Sequence, residues 1–125
     1  MQEALLQLAK SYEQTANAIH DAIRDCIRQS DGFINAANNN GRKPNMEALV
    51  YDSAKGYTES CPIKALRLGQ NGVVEVYLGH NDTIYTDKYL RSDRSAEHWL
   101  PLKDSQIVFY QTVLSIANTI AEYMA

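Results

Sequence analysis

From Gln2 to Ser30 the apolar side chains fall at Leu5, Leu8, Tyr12, Ala16, Ile19, Ile23, Cys26 and Ile27. This three-and-four spacing predicts a helix over 2–30 with one continuous apolar face. At 1.5 Å per residue the helix runs to about 40 Å, more than a compact domain of this size needs, so part of that face is expected to meet a partner subunit. The far side carries Glu13, Asp21, Arg24, Asp25 and Arg28, with His20 among them, and reads as a solvated face. Asp31-Gly32 stops the helix, and 35–44 is a polar loop of turn formers. Asn45 can then cap a short helix over 45–55, in which Met46, Leu49, Val50 and Ala54 keep helical spacing and Gly56 closes the C-terminal end. A strand from Ala48 to Asp52 is the competing assignment.

Beyond Cys61-Pro62 the period changes from helical to two, which predicts strands over 62–69 and 73–79 joined by a turn. A two-residue Asn71-Gly72 turn is the first expectation for such a pair. It would split the apolar set between the two faces, because a one-residue slip moves every side chain across the sheet. A three-residue loop, Gln70-Asn71-Gly72 with Gly72 left-handed, instead gathers Leu66, Leu68, Val74, Val76 and Leu78 on one face. Ile63, Ala65, Arg67, Val73, Glu75 and Tyr77 then share the other. His80-Asn81-Asp82 reads as a second turn and 83–87 as a third, shorter strand completing a β-meander. Trp99, the single tryptophan, anchors the long connection that follows.

A final helix is expected over 104–124, begun by Asp104 or Ser105, with Ile107, Tyr110, Val113, Leu114, Ala117, Ile120, Ala121 and Met124 on a broad face. No charged residue occurs from Ser105 to Ala121, so this helix is expected to be covered on more than one side, within the chain or at a homodimer seam. Gln106, Gln111 and Asn118 argue against a membrane span. The fold class that follows is α+β, one domain over 1–125: long N- and C-terminal helices packed on a small antiparallel β-meander centred on the 62–79 hairpin.

Composition adds limits. The chain has 125 residues, 45% hydrophobic and 22% charged, enough for a core without disulfides or a metal. A net charge of -3 argues against a general binder of nucleic acid or anionic membrane. Cys26 and Cys61 lack redox or zinc spacing and read as reduced thiols, a Cys26–Cys61 disulfide being the rival. No signal peptide is visible, which with the thiols makes a cytoplasmic location the expectation.

Candidate chemistry is sparse. His80, Asp82 and His98 are the candidate catalytic or metal-binding side chains of a small hydrolase or metal-dependent enzyme, since imidazole and carboxylate together serve acid–base work and metal ligation. Their spacing matches no established motif, and turn chemistry accounts for Asn81 and Asp82. The tyrosines Tyr51, Tyr57, Tyr77, Tyr85 and Tyr89 lie near Lys64, Arg67, Lys88, Arg91 and Arg94, which on a sheet face can stack single-stranded bases or line a protein interface. The acidic balance favours the interface. The reading is therefore a non-enzymatic interaction or regulatory accessory domain, homo-oligomeric through its terminal helices and able to take a protein partner. It carries no cofactor or metal, and its candidate interaction surface comprises Arg67, Glu75, Tyr77, Trp99 and Tyr110.

Overall fold

The computed structural model describes residues 2–36, 46–79 and 85–123. A first helix, α1 (Gln2–Gln29), is followed by the strands β1 (Phe33–Asn35), β2 (Glu47–Asp52) and β3 (Tyr57–Leu68). A single 3-10 turn at Gln70–Gly72 leads to β4 (Val74–Leu78), and then come a short helix α2 (Asp87–Ser92), β5 (Trp99–Pro101) and α3 (Phe109–Tyr123). The sheet is antiparallel in the order β1-β3-β4-β5, with β2 also paired to β3. Terminal helices on a small antiparallel sheet built around a hairpin are the expected α+β architecture.

The hairpin has the three-residue loop that the apolar pattern selects. Leu66 faces Val76, Arg67 faces Glu75 and Leu68 faces Val74. Gly69 N–H donates to Val73 O at 2.7 Å, and both Asn71 (φ 61°) and Gly72 (φ 72°) are left-handed, a conformation open to glycine and tolerated by asparagine. The face assignment fails at one residue. The pairing shifts between Ile63 and Ala65, so Ile63 stands opposite Leu78 and enters the main core instead of the second face. One extra residue in a strand reverses the alternation beyond it, and periodicity carries no sign of that.

Three other expectations are corrected. The helix expected over 45–55 is strand β2, paired along its whole length with the first half of β3, from Glu47↔Pro62 to Asp52↔Tyr57. Its other edge is also engaged: Tyr51 N–H donates to Gln106 O and Val108 N–H to Leu49 O. Two sets of partners distant in sequence outweigh a helical spacing that local propensity supports only weakly. Gly56 (φ 75°) consequently turns a hairpin rather than capping a helix. The same pairing carries β3 back to Tyr57, five residues before the expected start at 62.

The third strand is not at 83–87. Residues 83 and 84 lie outside the described residues, Asp87 starts α2, and the Thr86 side chain caps that helix by accepting from Tyr89 N–H. The strand beside β4 is β5, with Tyr77 opposite Trp99. Finally, the last helix begins at Phe109 rather than 104, because Ile107 is held in a bridge to Val50 and Asp104 caps a turn through Gln106 N–H. No helix among the described residues is long and apolar enough to cross a membrane.

Two cores lie on opposite faces of the sheet. On one, Ile23 and Ile27 of α1 and Val113 and Ile116 of α3 enclose Leu66, Val74 and Val76. The uncharged side of α3 is explained here: Thr112 Oγ1 accepts from Leu49 N–H, and Ser115 Oγ accepts from Glu47 N–H, so hydroxyls of the helix satisfy the edge of β2. On the other face Phe33, Ala65, Tyr77, Leu90 and Trp99 form a smaller core roofed by α2.

Candidate functional site

Tyr77 carries the polar part of the second core. Strand alternation turns its ring away from the helices, and it is fully buried between Trp99, at 5.1 Å between ring centroids, and Tyr85, at 5.4 Å. Gly79 permits this packing, since a Cβ there would stand 2.8 Å from a ring carbon of Tyr85. A buried phenol needs a hydrogen-bond partner. The Tyr77 hydroxyl donates to Asp93 Oδ2 at 2.6 Å, and His98 Nδ1 stands 2.7 Å from the same oxygen and 3.2 Å from the hydroxyl. Asp93 Oδ1 accepts from Ser95 N–H at 2.8 Å, which places the carboxylate just beyond the end of α2.

The electrostatics follow from these bonds. Donation from Tyr77, then from Ser95 N–H and His98, holds the Asp93 carboxyl down at about 2 against an ordinary value of 3.8. Burial, and then the neighbouring carboxylate, pushes the Tyr77 hydroxyl well above the usual tyrosine value, keeping it a proton donor. An ionised Asp93 only accepts, so the network assigns the proton to Nδ1 of His98 and leaves Nε2 as the acceptor. His98 is one-third exposed. Chemically, this is an imidazole oriented by a carboxylate, a geometry able to take up a proton at Nε2.

Of the sequence candidates, His98 is thus joined to Asp93 and Tyr77, whereas His80 and Asp82 lie outside the described residues. Among the described residues no group of three His, Cys, Asp or Glu side chains is arranged to hold a metal ion. Cys26 and Cys61 are both free.

The expected interaction face is largely internal. Tyr77 and Trp99 are buried, and the Trp99 indole N–H points to Leu90 O at 3.4 Å. Arg67 Nε donates to Glu75 Oε1 at 2.6 Å while its guanidinium lies 4.1 Å from the Trp99 ring, so both charges are consumed within the layer. Bases cannot stack on Tyr77, because α2 and β5 cover it. The residue that satisfies Tyr77, Asp93, is distant in sequence and carries no local signal. Tyr110 stands elsewhere, on α3, stacked on Tyr12 of α1 with ring centroids 3.7 Å apart.

The large exposed apolar surface belongs to α1. Ala16 is its first buried residue, and every position from Gln2 to Thr15 is exposed. Leu5 is 65% exposed, Leu6 61%, Leu8 66% and Tyr12 48%, although Leu5, Leu8 and Tyr12 continue the stripe that buries Ile23 and Ile27. The excess helix length was the signal for this feature. No family model matches the chain, and no match is found among curated proteins or solved structures.

Proposed function

We propose that the chain is a small protein-interaction or regulatory accessory domain that self-associates through the exposed half of α1, beside the uncharged face of α3. One observation carries this reading: about three turns of helix ahead of the Tyr12–Tyr110 stack, with three leucines on them, are exposed at every position. An isolated helix of that length is marginal in water, and most helical stability in proteins comes from packing an amphipathic face. Fully burying a leucine contributes about 1.5–3 kcal/mol, so a partner for Leu5, Leu6 and Leu8 recovers stabilisation that the single chain forgoes. A second copy suits a lone stripe of this kind, because symmetric homodimers bury the same patch of both subunits. Two free cysteines fit a reducing compartment such as the cytoplasm.

Sedimentation velocity on the full chain tests the reading. A dimer at micromolar concentration is expected, and Leu5→Glu with Leu8→Glu is expected to give a monomer whose Trp99 fluorescence and circular dichroism still report an intact body. A wild-type chain that remains strictly monomeric at high micromolar concentration overturns it.

A further inference from the structure

The exposed half of α1 ends beside an open groove. Tyr12 and Ala16 of α1, Ile107 of the segment before α3, and Phe109 and Tyr110 of α3 line this groove of about 430 Å³, to whose lining Glu13, Lys103 and Asp104 add charged side chains. The tyrosine stack of Tyr12 on Tyr110 borders it, and the Lys103 ammonium lies 5.7 Å from the Phe109 ring centre. Leu5, Ala9, Tyr12 and Ala16 are separated by four, three and four residues, the spacing with which a helix seam meets another helix. An antiparallel second copy related by a two-fold axis between Lys10 and Ser11 sets Leu5 opposite Ala16 and Ala9 opposite Tyr12. The symmetry makes both ends do so together.

We infer that the groove is the seat of Leu5 from this antiparallel second copy, an arrangement that rests on the self-association proposed above. The area favours it over a contact between the two exposed stretches alone. A helix segment about 21 Å long and about 11 Å across offers roughly 350 Å² on one side, so two of them reach only about 700 Å². A specific interface needs roughly 1,200 Å² or more. Seating each helix tip on the other copy adds the two grooves, whose aromatic and aliphatic walls match a leucine.

Disulfide trapping tests the seat in the full chain carrying Cys26→Ser and Cys61→Ser. Asn17 lines the groove beside Ala16. Mixing Leu5→Cys chains with Asn17→Cys chains under mild oxidation is expected to give a linked dimer. Leu5→Cys alone is expected to give none, because its two copies stand eleven residues apart along the seam, about 16 Å, beyond the roughly 7 Å Cα reach of a disulfide. Self-linking of Leu5→Cys without the mixed product, in a chain that still sediments as a dimer, overturns the groove seat and leaves the self-association standing. A monomeric chain removes both. A dimer that persists unchanged in Leu5→Glu with Leu8→Glu also removes both, since the exposed half of α1 then faces something else.

Discussion

On one face of the β3–β4 hairpin, Leu66, Val74 and Val76 are buried against helices with side chains that carry no polar atom. On the other, Ala65 and Tyr77 are buried equally well, yet their neighbours include Arg67, Glu75, Asp93 and His98. The first face needs only shape and volume. The second must also place a partner at every donor and acceptor, because an unpaired buried polar group costs about 1–3 kcal/mol. The difference teaches that a polar strand face need not be a surface: it becomes a core when distant residues complete its hydrogen bonds.

Mutations should separate the two faces by size and by kind of effect. Leu66→Ala, which opens a cavity on the aliphatic face, is expected to lower stability by about 2–5 kcal/mol in urea denaturation. On the polar face Tyr77→Phe keeps the ring and removes the hydroxyl, so the loss should be smaller, about 1.5–3 kcal/mol, the range of a hydrogen bond to a charged group. A change within experimental error would break the comparison, since the hydroxyl would then have no structural role.

Acid should expose the same contrast in two windows. Asp93 titrates lower in the folded chain than when unfolded, so its contribution is present above the ordinary carboxylate value and is lost as pH falls from about 4 through about 2. Tyr77→Phe should flatten that part of the stability curve. His20, buried on the helix side, has its value lowered first by desolvation and also by Lys103 and Arg24, against a hydrogen bond to the Asp21 carboxylate that raises it. The folded chain therefore binds its proton less readily than the unfolded one, and stability should fall as pH drops below about 6.5. His20→Gln should remove this upper window and leave the lower one.

Smaller effects sharpen the picture further. The Arg67–Glu75 pair is partly exposed, and a double-mutant cycle with Arg67→Leu and Glu75→Gln should give a coupling of about 1 kcal/mol or less. Leu5→Ala should change the stability of the isolated domain by no more than about 0.5 kcal/mol, because the side chain is 65% exposed. Its effect should show in the dimer constant measured by sedimentation.

Strong local periodicity makes α1 and the hairpin legible in the sequence. The three-and-four spacing gave one unbroken helix, and the apolar alternation selected the loop at Gln70–Gly72 with Leu68 opposite Val74. Segment 46–52 misled because Met46, Leu49 and Val50 satisfy a helical template and the pairing with 57–62 that overrides it is invisible locally. The β-branched run at 83–87 suggests the third strand, whereas the backbone beside β4 is that of Trp99, whose neighbours show no period. His98 was legible as a residue that could do chemistry. Its partners were not, since Asp93 reads in sequence as one of several cancelling charges.

By itself, then, the sequence determined which stretches carry a face to bury: the stripe of α1, the alternating hairpin and the uncharged length of α3. These are local properties, fixed by periods of 3.6 and 2 and by the positions of Asp31-Gly32 and Asn71-Gly72. Only the tertiary structure decided what covers each face. It turned 47–52 into a strand by lending it β3, used hydroxyls of α3 to satisfy that strand's edge, and made a core of the Tyr77 face by supplying Asp93 and His98. It also left the positions of α1 before Ala16 exposed. Hydrogen bonds and burial are completed between residues far apart in the chain, and no local pattern carries that information.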